Sequence, residues 1–180
     1  MADVNPSLTT LRPEPAGPRP ASADAPLVEL IELFFFAYRD FVADPDEILA
    51  PLGFGRAHHR VLHFVNRHPG MRVTDLLDIL RITKQSLGRV LRELVDQGFI
   101  ESRAGPSDRR QRLLYPTPRG EALAHEFVAL QSRRIAGALD ECGAGAREAA
   151  RRFLVAMIDA EDRAGVERLI QRAERDRRSR

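Results

Sequence analysis

Cysteine is nearly missing from this 180-residue chain: Cys142 stands alone. No disulfide can close within the chain, and no cysteine-pair metal knuckle can form. Long apolar runs are missing as well. The longest, Leu33 to Tyr38, is bounded by Glu32 and Arg39, far short of the ~20 residues that a membrane-spanning helix needs. The amino-terminal Met1-Ala2-Asp3-Val4-Asn5-Pro6 has neither the basic nor the apolar segment of a secretory signal. A cytoplasmic location without membrane contact is therefore expected. Catalytic signatures are absent too: there is no glycine-rich phosphate loop, no nucleophile elbow and no HExxH motif. The acidic run Asp159-Ala160-Glu161-Asp162 is most simply the solvated face of a helix. Neither enzyme activity nor a cofactor is expected. Lysine is scarce: Lys84 is the single lysine among 28 basic residues. Such an arginine bias suits phosphate binding, because the guanidinium forks onto two oxygens at once.

What is present is ordinary for a soluble globular protein, with 43% hydrophobic and 30% charged residues. The net charge of +2 averages over three unlike segments. Residues 1–53 carry a net −6, residues 54–120 a net +7 and residues 121–180 a net +1. A basic module thus lies between acidic and near-neutral flanks, which points to a polyanionic partner.

Along the chain, residues 1–26 hold six of the twelve prolines and little apolar surface, the composition of a disordered arm. Residues 27–43 place Leu27, Leu30, Ile31, Phe34, Phe35, Tyr38 and Phe41 on one helical stripe. Such an aromatic stripe is buried either in the core of its own chain or in a subunit interface. A helix over 53–68 follows Pro51 and ends at Pro69-Gly70. Met71-Arg72-Val73 is a short extended link. Thr74 is expected to cap a helix over Asp75–Leu80, and after the break at Arg81-Ile82 Thr83 caps another, which Gly98 stops. Two short capped helices in succession make a helix-turn-helix.

The second of these helices has an apolar back of Leu87, Val90, Leu91 and Leu94. Its front is rich in donors: Lys84, Gln85, Ser86, Arg89 and Arg92. That front suits the major groove, where arginine reads guanine and glutamine reads adenine. Phe99–Arg103 and Gln111–Tyr115 then read as a β-hairpin around turn residues 104–108, with Arg109, Arg110 and Arg112 clustered just past the tip. An arginine-rich hairpin beside a helix-turn-helix is a winged helix, and a tip arginine suits a narrow minor groove. Thr117-Pro118 starts a helix to about Glu141. After Gly143 and Gly145 a single last helix is expected from about Ala146 to Arg175, with a seam of Phe153, Leu154, Met157, Ile158, Leu169 and Ile170.

The stretches TDLLDILRITKQSLGRVLRELVDQGFIESR and DRRQRLLYPTPRG resemble the MarR family of bacterial transcription regulators. Asp108, Arg110, Arg112, Thr117 and Gly120 match the family's wing and following helix start. The resemblance implies a mainly α fold with a small β-hairpin wing. Its winged helix-turn-helix DNA-binding lobe would span residues 51–120. An N-terminal dimerisation helix (27–50) and C-terminal dimerisation helices (121–180, ending in a frayed basic tail) would flank it. It implies a homodimer that binds an inverted repeat of double-stranded DNA as a repressor, and a small-molecule effector lodged between the interface helices and the lobe that would relieve it. The recognition-helix residues would be Thr83, Lys84, Gln85, Ser86, Arg89 and Arg92. The wing would contribute Arg103, Asp108, Arg109, Arg110 and Arg112, with Arg110 in the minor groove, Asp108 orienting it by an ion pair, and Arg103 near the backbone or bracing the wing. Leu30, Phe34, Phe35, Tyr38, Phe153, Met157 and Leu169 would lie in the dimer interface. Pro116 departs from the family's usual leucine; since proline lacks a ladder donor, the return strand is expected to end early or to lie at an edge. The alternative is a winged-helix scaffold for protein or RNA.

Two constellations stand apart. His58, His59, His63 and His68 crowd one helix, and His59 and His63 have the spacing of a metal pair. No third ligand is evident, so no metal is expected and the histidines read as surface or groove-facing. His68, near a helix end, would favour the dipole if charged. Cys142 reads as an inert thiol rather than a redox sensor.

Overall fold

A computed structural model describes residues 26–178. The expected arm over residues 1–26, apart from Pro26, lies outside the described residues, as do Ser179 and Arg180. The chain divides into two units, one ending at Phe36 and the other beginning at Ala37. Helix α1 (Val28–Leu49) crosses that boundary.

From Ala37 on, the apolar faces converge on one core. Helix α2 (Arg56–Arg67) contributes Val61, Leu62 and Val65. Strand β1 (Met71–Arg72) leads into α3 (Val73–Leu80), which adds Leu76 and Leu80. Helix α4 (Lys84–Asp96) adds Leu87, Val90 and Leu94. The hairpin β2 (Ile100–Ala104) and β3 (Arg112–Pro116) adds Ile100 and Leu114, and α5 (Pro118–Cys142) closes the core with Leu123 and Phe127. Two more helices follow, α6 (Ala146–Met157) and α7 (Ala160–Arg178). This mainly helical chain with a small antiparallel sheet is the expected winged helix-turn-helix.

The structure departs from the sequence-based expectations in several places, each with a local cause. Helix α1 runs past residue 43 to Leu49 with Pro45 inside it. Proline cannot donate to the carbonyl four residues back. The buried Gln131 amide points its Nε2 at that Phe41 oxygen, 3.5 Å away. Helix α3 starts at Val73, not after a Thr74 cap, because Asp75 reaches back to the Arg72 N–H at 3.2 Å and to its guanidinium at 2.6 Å. That guanidinium and the accepted hydrogen bonds hold the Asp75 carboxyl below its usual range. The link at Met71-Arg72 is a third strand, and the sheet order is β1-β3-β2. Strand β3 is therefore central and continues through Pro116, which pairs with Ile100. The proline is tolerated there because β1 covers only Leu113 and Leu114 on the other side. The single last helix is two. Arg163 donates to the carbonyls of Ala156 at 2.7 Å and Ile158 at 2.8 Å, ending α6, and Glu161 and Asp162 supply the acidic first turn of α7.

Two of the four histidines, His58 and His59, are not surface groups, while His63 and His68 are half-buried. His58 and His59 are each only 8% exposed. The Gly55 N–H donates to His58 Nδ1 at 3.1 Å, which fixes the tautomer with the proton on Nε2, and that nitrogen faces Glu93 at 2.6 Å. His59 packs edge-on against Phe127, and burial pushes its imidazole below the usual value. Burial, with His59 and Arg67 adding, takes His63 down to about 4. His68 closes α2, but burial and then Arg67 push it down rather than charging it. Among the described residues no group of three or more His, Cys, Asp or Glu side chains is gathered as a metal site, and Cys142 is exposed.

Gly120 is the tightest backbone approach in the lobe. A Cβ there would lie 2.0 Å from the Phe99 carbonyl oxygen. The Thr117 hydroxyl accepts from the Gly120 N–H at 3.1 Å and donates to the Gly98 carbonyl at 2.7 Å. The helix start is thereby clamped onto the end of α4. Gly120→Ala should destabilise the fold by about 1–3 kcal/mol, as overpacking does, read from denaturant midpoints. The histidines set a pH dependence. His63 is neutral in both states above 6.5; between 6.5 and about 4 only the unfolded chain takes the proton, so stability falls through that window. Urea unfolding across it should show a shallower loss for His63→Gln than for the unaltered chain.

Candidate nucleic-acid interface

The helix-turn-helix begins with a tight corner. Arg81 adopts the left-handed conformation at φ 49°, the one non-glycine among the described residues to do so. Its N–H bonds the Leu77 carbonyl at 2.9 Å. Its guanidinium pairs with Asp162 and, at 3.9 Å, with Asp159. Thr83 then caps α4, accepting from the Ser86 N–H at 3.1 Å while its hydroxyl donates to Ser86 Oγ at 2.9 Å. The cap was legible in the sequence; the pairing of the corner with α7 was not.

Leu87, Val90 and Leu94 are buried and Leu91 is half-buried, so one side of α4 is fixed. Glu93 ties the same helix to His58 of α2. At its carboxyl end, Arg119 lies over the Phe99 ring, 4.2 Å from its centroid, and donates to the Gln97 carbonyl at 2.9 Å. These braces turn Lys84, Gln85, Ser86, Arg89 and Arg92 outward, all exposed. Thr83 spends its hydroxyl on the cap, whereas Ser86 Oγ only accepts there. Among the described residues, Lys84, Gln85, Arg89 and Arg92 have no hydrogen-bond or ion-pair partner, and their donors face solvent.

The wing sorts its arginines into two groups. Arg112 donates to Ser102 Oγ at 3.0 Å and to the Ser102 carbonyl at 2.7 Å, across the hairpin. Arg103 forks onto Glu101 at 2.7 and 3.0 Å and lies over the Tyr115 ring at 4.5 Å. Both stiffen the strands, and for Arg103 that is the bracing role. Arg109 and Arg110 stand exposed at the tip with no partner among the described residues. Asp108 does not form the expected ion pair with Arg110. Its carboxylate accepts from the Arg110 backbone N–H at 2.9 Å, because the chain turns there and the amide is nearer than the guanidinium. Gly105 completes the turn: a Cβ would lie 2.9 Å from the Asp108 carbonyl oxygen.

The expected interface residues also divide. Leu30, Phe34, Phe35 and Tyr38 of α1 are exposed, with Phe35 at 67%. Phe153 and Met157 of α6 are exposed as well. Leu169 is half-buried and lines a cleft with Met71 and Ile79 of its own chain. Among the described residues no helix is long and apolar enough to cross a membrane.

A recognition helix with a free donor face, beside a braced hairpin with free tip arginines, defines a winged helix-turn-helix DNA-binding protein. The sequence pattern of the MarR family matches residues 52–111. The HTH-type transcriptional regulator PetP of Rhodobacter capsulatus is 48% identical over 136 residues, covering 76% of this chain and 82% of its own. Among solved structures, a crystal structure of MarR aligns with a TM-score of 0.57 at 24% identity, over 90% of this chain and 100% of its own. A mutant MarR from E. coli complexed with operator DNA aligns with a TM-score of 0.58 at 21% identity, over 74% of this chain and 96% of its own. The chain belongs to the MarR family of transcriptional regulators, which are DNA-binding proteins and not enzymes.

Asp108→Ala should release the Arg110 amide and loosen the tip while leaving the lobe folded. Hydrogen exchange at residues 109–111 should accelerate, with a global loss of about 1 kcal/mol or less, as for an exposed hydrogen bond.

Proposed function

We propose that the chain binds an inverted-repeat duplex operator as a homodimer and represses transcription by occupying it. The observation that supports this most directly is the pair of unpartnered donor sets, Lys84, Gln85, Arg89 and Arg92 on α4 and Arg109 and Arg110 at the wing tip. The first set enters the major groove and the tip reaches the adjacent minor groove. Ser86 meets phosphate near the helix start beside the Thr83 cap, and Arg103, Asp108 and Arg112 hold the wing in shape. The exposed aromatic side chains of α1 and the exposed Phe153 and Met157 favour association, since isolated soluble domains rarely leave such apolar surface uncovered. In functional terms residues 27–50 and 121–180 serve association and residues 51–120 serve DNA, behind an arm over 1–26.

Two dimer-related lobes would present their α4 helices to successive major grooves, about one helical turn apart. A small-molecule effector would act on that spacing. The cleft of about 550 Å³ between α7 and the lobe, lined by His68, Arg72, Leu169 and Arg172, is of ligand size. A ligand there shifts the equilibrium only if it binds one spacing better than the other.

Selection from a random duplex pool with the full chain tests the proposal: the expected result is a palindromic site. Arg110→Ala should weaken binding to that site broadly and flatten the salt dependence, whereas Arg89→Ala or Gln85→Ala should cost about 1–3 kcal/mol and relax preference at particular base pairs. Failure to enrich any duplex would favour the scaffold.

A further inference from the structure

Gly88 stands in the middle of α4, where its own chain makes no demand for glycine. It is not among the glycines with positive φ, so the backbone there is one any residue adopts. A Cβ built on it would meet no heavy atom within 4 Å, so the lobe has room for a side chain. Glycine is nevertheless the poorest helix former after proline, and alanine the best. The residue is exposed, and its position on the helix is telling. Gln85 lies three residues before it and Arg92 four after, so the three make one ridge, with Arg89 beside it. That ridge has an unpartnered donor at each end and bare backbone between them.

A helix with its side chains is about 10–12 Å across, and the major groove is about 12 Å wide. The fit leaves no slack, and a single added methyl on the inward face changes how deep the helix sits. We infer that Gly88 is a specificity-determining residue. It sets the depth of α4 in the groove by seating bare backbone against the base edges, so that Gln85 and Arg92 reach bases on either side of the contact. The inference rests on the operator proposal above and adds a residue that bears no donor of its own.

The test uses the full chain and the duplex that the unaltered protein enriches from a random pool. Gly88→Ala should melt no lower than the unaltered protein, bind that duplex at least about tenfold more weakly, the scale of one lost base contact, and bind an unrelated duplex equally well. Gly88→Leu should be weaker still on the enriched duplex. Affinity of Gly88→Ala within about twofold of the unaltered protein overturns the inference while leaving the operator proposal standing. A lower melting temperature for Gly88→Ala overturns it too, since the glycine would then serve the fold. Failure of the unaltered protein to enrich any duplex overturns both.

Discussion

Leu87, Val90 and Leu94 are almost wholly buried against α2, α3 and the sheet, and the orientation of every outward donor on α4 follows from that burial. A helix is rigid about its axis, so fixing three positions on one side fixes the opposite side. Removing one such leucine in a packed core costs about 2–5 kcal/mol, far more than any exposed arginine contributes to the fold. Burial alone leaves the helix free to slide along its axis by small amounts. The His58–Glu93 bond and the Arg119 contacts with Gln97 and Phe99 tie its carboxyl-terminal half to α2 and to the start of α5 and restrict that freedom, while the Thr83 cap closes its amino end locally.

Arginine dominates the chain, yet its copies do unlike work. Arg72, Arg103 and Arg112 are held by neighbours within a few residues or across one strand pair, and Arg163 closes a helix end. Arg67 and Arg81 reach α7 through Glu174 and Asp162. Arg60, Lys84, Arg89, Arg92, Arg109 and Arg110 are left over among the described residues of the lobe; Arg60 stands exposed on α2, and the other five sit on the recognition helix and the wing tip. The basic excess of residues 54–120 is therefore gathered mainly on α4 and the wing tip, while Arg72 and Arg103 are taken up by Asp75 and Glu101.

The buried polar groups show the same economy. Pro45 deprives the Phe41 carbonyl of its helical donor, and Gln131 from a distant helix faces it. His58 has both ring nitrogens engaged. His59 Nε2 finds no partner among the described residues, which accords with a neutral ring held by packing against Phe127.

Periodicity and capping made the helix-turn-helix and the donor face of α4 legible from residue order, since those depend on neighbours within four positions, and turn residues between two extended runs made the hairpin legible. Thr117 and Gly120 were legible as a motif. Their reason was not, because the Phe99 carbonyl that excludes a Cβ lies twenty-one residues away in sequence. The burial of His58 and His59, the third strand, the division of the last helix and the split between structural and free arginines were decided by the tertiary structure. The burial and the third strand depend on partners far away in sequence, while the helix division and the structural arginines Arg72 and Arg103 use near partners that periodicity does not single out. Local order thus determined which residues could face DNA, and long-range contacts decided which of them are free to do so, because a donor already satisfied within the chain has nothing left to offer outside it.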